Sequence, residues 1–369
     1  MAKSKTLSTR QVIENAERIF HGLRWAHGIV VCPYCGSIHV KEYAGYHYKC
    51  NSCKNRFTDK TNTMLHGSKL SVKVWMQAIY EITSDNFISS ITLAKKLGIN
   101  QKSAWLLRLK LDKSMDMDKV LLRGVICMDE MYVGGCLSNY HYRRKLDLLR
   151  SHHLLDEDSR DYGKDAIFNL NKELKTPVFG MTDGDKVVLH VCPNPIKKEH
   201  VRRLYRRYCA NGSTSVSDES KLYDDWAMAV GSELYTNNHH NNQYVTSEGY
   251  TSNAIENKFS WFKRGFYSRI THCKYTQLYL NEYCFRYNTR NMTTEQIFNE
   301  AVISTIGKHV TYKQIREYNP LDEVEYKKTR LANERKHNKM MKNIKFALEN
   351  HIVDYFVYEH KKYTLKDFE

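Results

Sequence analysis

The chain has 369 residues, enough for about two or three domains, and its 57 Lys and Arg against 41 Asp and Glu give a formal net charge of +16 at pH 7. A surface of that sign suits phosphate polymers, drawn in by long-range steering and counterion release, although acidic proteins and membrane surfaces attract it too. No run approaches the ~18 apolar residues of a membrane span and the opening MAKSKTLSTRQVIENAERIF lacks the apolar core of a signal peptide, so an intracellular protein is expected, with its cysteines read for metal or burial rather than as a disulfide framework.

Residues 1–28 are expected to form an N-terminal helical segment, with Val12, Ala16, Ile19 and Phe20 on one side of a helix from Thr9 to Phe20. Residues 29–62 hold CPYC and CNSC, two C-x2-C pairs (Cys32 with Cys35, Cys50 with Cys53) separated by fourteen residues. Two such knuckles can set four thiolates around one zinc ion, and the aromatic filler YAGYHYK suits a small hairpin whose core depends on the metal: a zinc ribbon. Four buried structural cysteines, a redox pair, or His39 or His47 substituting for a thiolate are the competing readings. A redox pair would normally lie beside a βαβ unit.

Residues 68–118 form the next region, helical from Ser71 to about Asp116 with breaks at SDN and LGINQ, and SSITLAKKLGINQKSAWLLRLKLDK has the plan of a helix-turn-helix. One helix, Ile91 to Leu97, ends in the turn Gly98-Ile99-Asn100 and a second begins near Gln101. Ala104, Leu107 and Leu111 are expected to pack inward, leaving Gln101, Lys102, Arg108 and Lys110 exposed for base edges and phosphates in a DNA major groove. A plain helical hairpin with a solvated basic face fits the same residues. Beside a zinc ribbon in so basic a chain, DNA binding is the preferred reading.

Between residues 120 and 292 the pattern turns to short β-rich runs, VLLRGVICMDEMYVGG, PVFGMT, KVVLHVCPN and STSVSD, with a DGD hairpin turn at Asp183 to Asp185 and an amphipathic helix IKKEHVRRLYRRYC before the last run. Strand, hairpin, helix, strand implies an α/β or α+β domain with a mixed sheet. Residues 136–176 are a charged insertion without a period, expected to be a mobile loop. Two helices follow, SNAIENKFSWFKRGF and KYTQLYLNEYCFRYNTRN. Residues 293–369 read as a basic tail with a helical stretch, Glu323 to Asn350, and an apolar patch IVDYFVY.

In GVICMDEMYVGG the period of two puts Asp129 and Glu130 on opposite faces of one strand, and Asp218 and Glu219 repeat the arrangement. On the following helix Glu256, Ser260 and Lys263 share a face, while Ile255, Phe259, Phe262 and Phe266 form the stripe that packs on the sheet. A mixed sheet can therefore bring two strand-end aspartates and a helix glutamate together. Converging carboxylates repel in a dry site unless cations neutralise them, and hard oxygen ligands in that number suit Mg2+ or Mn2+. Two such ions roughly 4 Å apart can activate a water or a 3'-hydroxyl and stabilise the leaving oxygen of a phosphodiester. Glu130, facing away, is read as a support bonded to backbone or a basic side chain, without a catalytic role. Trp261 and Tyr267 could stack on an unpaired base, but packing is the expected role.

Together, CPYC, CNSC, MDEMYVGG, TPVFGMTDG, SVSDES, NAIENKFSWFKRGFY and LNEYCFRYNTRN resemble the DDE transposases of bacterial insertion sequences that carry an N-terminal zinc ribbon (ISXO2-like), a group related to the eukaryotic Merlin transposons. The likeness runs from about Val30 to Asn291. It implies an RNase H-like catalytic core, preceded by the ribbon and the helix-turn-helix region. Asp129, Asp218 and Glu256 would be the catalytic acids and the ligands of two Mg2+ (or Mn2+) ions, with one structural Zn2+ on Cys32, Cys35, Cys50 and Cys53. Lys263 takes the basic position that touches a phosphate. Arg264, Gln101, Lys102 and Arg108 are further expected DNA contacts, and Glu130 and Asn253 supports.

The implied activity is binding of element ends on double-stranded DNA, metal-dependent cleavage and strand transfer by a homo-oligomer, with no membrane partner, in the cytoplasm of a bacterial host or the nucleus of a eukaryotic one. The chain lacks the histidine that relatives often show near Thr251, and its insertion is longer and more acidic than the basic stretch expected there. Two rivals are a non-catalytic or domesticated DNA-binding regulator and an RNase H-like nuclease acting on RNA or repair intermediates. The presence of all three acids and Lys263 argues against the first, and the ribbon with its helix-turn-helix against the second.

Overall fold

The computed structural model describes residues 9–84, 87–134, 141–151, 153, 155, 175–218, 220–237, 253–269, 274–321, 345, 349, 356–358 and 361–363. Most of the charged insertion and of the Glu323 to Asn350 stretch, with Glu219 and Thr251, lie outside them; the described part of the insertion holds a helix, α6 (Tyr142–Ser151), with Leu146 and Leu149 buried, where a loop was expected. The chain divides into two compact units, one of residues 1–115, 290–317 and 325–369, the other of 116–289 and 318–324. Among the described residues, no helix is long and apolar enough to cross a membrane.

In the first unit the N-terminal helix breaks at Asn15 into α1 (Thr9–Glu14) and α2 (Ala16–Arg24), with Val12, Ala16 and Phe20 buried as the spacing predicts. A three-stranded antiparallel sheet follows: β1 (Val40–Ala44), β2 (His47–Cys50) and β3 (Arg56–Thr58). Its core is small, with Cys32, Tyr48, Cys50 and Phe57 buried and Trp25, Val30 and Val40 against them. Asp59, at the end of this ribbon, ties it to α2. It accepts from Trp25 Nε1 at 2.7 Å and pairs with His21 Nδ1 at 2.9 Å, while Arg24 donates to its carbonyl.

Three helices come next: α3 (Val72–Ser84), α4 (Ser90–Leu97) and α5 (Gln101–Ser114). Local chemistry sets their ends. Ser89 caps α4 by accepting from the Thr92 amide, Gly98 closes it at φ 64, and Asn100 caps α5 by accepting from the Ser103 amide. The helix-turn-helix therefore falls on the residues expected of it. What the sequence did not announce is the covering of these helices by the chain's far end. Helix α11 (Thr294–Ser304) packs on α2 and α3, and the short α12 (Tyr312–Arg316) packs on α5. The first part of the expected basic tail is thus structural, with Phe298, Ala301, Val302 and Ile315 buried.

The second unit is built on a five-stranded mixed sheet, in the order β6-β5-β4-β7-β8: β4 (Val125–Val133), β5 (Thr176–Thr182), β6 (Val187–Val191), β7 (Thr214–Asp218) and β8 (Leu234–Asn237). Strands β4, β5 and β6 form an antiparallel meander, and β4, β7 and β8 run parallel. The turn between β5 and β6 is the predicted DGD: Asp183 Oδ1 accepts from the amides of Asp185 and Lys186, and Gly184 takes φ +89. Helix α7 (Lys198–Tyr208) carries the chain from β6 to β7, and α8 (Trp226–Val230) lies between β7 and β8.

Helix α9 (Asn253–Arg269) packs on β4 and β5 through Ile255, Phe259, Phe262 and Phe266, all buried. Helix α10 (Thr276–Asn288) closes the edge of β6 with side-chain amides. Gln277 accepts from the Val191 amide and donates to the Leu189 carbonyl, and Asn288 does the same for both backbone groups of Val187. An edge strand whose polar groups are taken in this way offers no template to another chain.

Candidate active site and metal centres

The knuckles of the ribbon converge. Cys32, Cys35, Cys50 and Cys53 present sulfurs within 4.8 Å of one another, with Cys32 to Cys53 and Cys35 to Cys50 each at 3.6 Å. Sulfurs on a tetrahedral zinc ion, with Zn–S near ~2.3 Å, lie about 3.8 Å apart. The electrostatics point the same way. Burial pushes the Cys32 thiol up to about 12. Burial also opposes the Cys50 thiolate, but the backbone amides of Cys53 and Ser52 and neighbouring thiols bring it down to about 6. Four thiolates cannot share this pocket without a cation, and a soft divalent ion fits the donor set.

The acids converge at the middle of the sheet. The β4–β7 register, Cys127 opposite Val216, continued by two residues sets Asp129 beside Asp218 on one face. Across the other ladder Asp129 pairs with Gly180, and a Cβ at Gly180 would come within 2.4 Å of the Phe259 ring and 2.9 Å of Ile255 Cδ1. Hence the face that carries Asp129 is the face on which α9 lies, and a glycine is what lets α9 approach. Glu256, one residue beyond Ile255, is exposed in the first turn of that helix, where the N-terminal dipole favours an anion.

Asp129, Glu130 and Asp218 each offer a carboxylate oxygen, and these lie within 4.8 Å of one another. The backbone amide of Glu130 donates to Asp129 Oδ1 at 2.7 Å. Glu256 does not belong to this group of three. Glu130 does, which corrects the expectation that its opposite strand face would keep it apart. The pairing of β4 with β7 stops at Cys127, so beyond that point no ladder separates the two faces on this side. Nor is its partner a backbone group or a base: Glu130 Oε1 accepts from the hydroxyl of Tyr223, a buried residue that the sequence did not single out. Burial, then the charges of Asp129 and Asp218, push the Glu130 carboxyl up to about 7 despite the Tyr223 bond. Carboxylates crowded in this way suit hard divalent cations.

Residues 121–288 match the ISXO2-like transposase domain and residues 14–56 the transposase zinc-ribbon domain. A protein from Halobacterium salinarum described as "Uncharacterized protein in transposable element ISH50" is 26% identical over 214 residues, covering 57% of this chain and 68% of that protein. The chain carries an ISXO2-like transposase domain and a transposase zinc ribbon. No solved structure matches it.

Around the acid cluster of the transposase, Lys263 is half-buried on α9. Burial and the charge of Lys175 lower its pKa, while Asp129, close enough to be felt, acts in the opposite direction. Asn253 and Arg264 are exposed on the same helix, Arg264 with its guanidinium 5.9 Å from the Trp261 ring. Trp261 is 67% exposed and Tyr267 51%, so neither is the packed residue expected. The Tyr267 hydroxyl accepts from the Gly134 amide at 3.1 Å, at the end of β4.

In the helix-turn-helix, Gln101 and Lys102 are exposed as expected. Arg108 and Lys110 are not, and this corrects their reading as DNA contacts on a solvated face. Arg108 is 4% exposed, donates to the Ile88 carbonyl and pairs with Asp112 at 3.6 Å. Lys110 is buried, which lowers its pKa.

Proposed function

We propose that this transposase cuts the ends of its own element by Mg2+- or Mn2+-dependent phosphodiester hydrolysis and joins the freed 3'-hydroxyl to target DNA by transesterification, with Asp129, Asp218 and Glu256 as the catalytic acids and metal ligands. The observation that carries this reading is the approach of Asp129 and Asp218 on adjacent strands, on the face covered by the helix that bears Glu256. Bound there, divalent ions supply the Lewis acidity that activates a water or a 3'-hydroxyl and stabilises the leaving oxygen. Lys263, whose charge reaches Asp129, neutralises the phosphate that enters the site. Arg264, exposed on the same helix, holds the flanking backbone.

One Zn2+ ion on the four cysteines completes the ribbon, and Gln101 and Lys102 at the start of α5 contact the element end in the major groove. Both ends must be held together, so the working form is a homo-oligomer on double-stranded DNA. In a prokaryotic host it works in the cytoplasm, where the DNA is. Strand transfer with end-containing DNA and Mg2+ tests the assignment, comparing wild type with Asp129→Asn, Asp218→Asn and Glu256→Gln. Each variant is expected to lose cleavage while retaining DNA binding; cleavage surviving in any of them would remove that acid from the site.

A further inference from the structure

We propose that Glu130 is a fourth carboxylate ligand of the divalent-ion site and that Tyr223 is the positioning residue that aims it there. The inference deepens the proposed reading of the acid cluster and rests on it. Glu130 has two oxygens to place. One accepts from the Tyr223 hydroxyl, and its carboxylate also reaches within 4.8 Å of those of Asp129 and Asp218. A carboxylate that was merely solvated would turn away from two like charges. This one is held among them by a neutral donor.

The donor is itself locked. Tyr223 is 3% exposed, and its ring meets Trp226 edge-on at 5.5 Å and 75°. Trp226 in turn donates from Nε1 to Ser215 Oγ at 3.1 Å and meets Tyr205 edge-on at 5.1 Å. Ser215 lies on β7, the strand that ends in Asp218. The Glu130 carboxylate is therefore referenced, through Tyr223 and Trp226, to the strand that carries its neighbour Asp218. Outer partners of this kind fix the orientation of a ligating carboxylate and are worth 10- to 100-fold, roughly, in metal affinity. The donor count agrees: a pair of hard cations takes about six oxygens each, so three acids alone leave most positions to water and substrate.

Mn2+ alone is the probe, titrated into the full-length, zinc-loaded chain and followed by its electron paramagnetic resonance. Glu130→Gln and Tyr223→Phe should each weaken Mn2+ binding by about 10- to 100-fold. Zinc content and circular dichroism should stay at wild-type values. The double variant should bind no more weakly than Glu130→Gln, since Tyr223 acts through Glu130. Wild-type Mn2+ affinity in Glu130→Gln, with affinity lost in Asp129→Asn and Asp218→Asn, would overturn this proposal and leave the three-acid reading standing. Wild-type affinity in all four variants would remove the metal site itself. A Tyr223→Phe loss that persists undiminished on top of Glu130→Gln would assign Tyr223 a purely structural role.

Discussion

The two ligand clusters of this transposase are opposites in construction. The cysteines come from one contiguous stretch, Cys32 to Cys53, and the sheet around them buries only a handful of side chains. The acids come from strands β4 and β7, distant in sequence, and rest on a sheet whose core is already filled by Ile126, Met128, Val178, Phe179, Val188, Val216 and the α9 phenylalanines. The first cluster has only a small core of its own to hold its four thiolates together, whereas the second stands on a core that is already filled. On the proposed reading a soft ion is a structural element at the first and a hard ion serves the chemistry at the second.

The sharpest way to break that comparison is to take the metals away. Cys50→Ser should eliminate bound zinc and unfold the ribbon, because a structural zinc contributes on the order of 10–16 kcal/mol in small domains of this kind. Limited proteolysis should then cut within residues 29–62 while the sheet stays protected. Asp129→Asn should do the reverse, leaving thermal stability unchanged or raised, because it removes a charge from a crowded group. A ribbon that stays folded in Cys50→Ser, or a sheet that melts in Asp129→Asn, contradicts the division of labour.

A smaller effect is expected where a buried ion takes the place of a metal as the polar element of a core. Arg108→Met removes the cation beside the fully buried Asp112 and the bond to the Ile88 carbonyl. Breaking such a pair costs about 3–5 kcal/mol, to be read from denaturant unfolding. Gly180→Ala comes next. Its methyl collides with Phe259 and Ile255 and lifts α9 from β4 and β5, at a cost of about 1–3 kcal/mol in stability. Because α9 carries Glu256, cleavage should fall by about 100-fold, the scale of a roughly 1 Å misplacement in an active site. Cleavage at the wild-type rate would mean that the position of the helix over Asp129 is unimportant.

The cysteine spacing, the Gly98 to Asn100 turn and the apolar stripe of α9 were legible in the sequence because each is a local pattern. Face parity put Asp129 and Asp218 on one side, and their carboxylates do lie within 4.8 Å, although the β4–β7 pairing itself ends two residues short of them, at Cys127 and Val216. Two features escaped for one reason, that they depend on chain arriving from elsewhere. A period reads one buried face per helix, but Arg108 turns back to the Ile88 carbonyl ahead of α4 and Lys110 lies within charge range of His309, in the segment that leads to α12, so both are buried where exposure was expected. The Glu130 carboxylate joins the acids because β7 stops pairing with β4, and Tyr223 reaches it from the turn after β7. Trp261, flanked in sequence by buried phenylalanines, falls on the uncovered side of α9.

The same helix α5 supplies the finest test, since its first turn and its middle carry cations with opposite fates. Lys102 is exposed and makes none of the core bonds of Arg108. Lys102→Ala should therefore leave unfolding within about 0.5 kcal/mol of wild type. A lysine that neutralises one phosphate releases one counterion equivalent, so the slope of log affinity against log salt should fall by about 1, uniformly across DNA sequences. Measured by titration of element-end and unrelated duplexes at several salt concentrations, an unchanged slope would take Lys102 off the DNA. A loss confined to the element end would instead make it a reader of bases, the role that the neighbouring Gln101 is otherwise expected to fill.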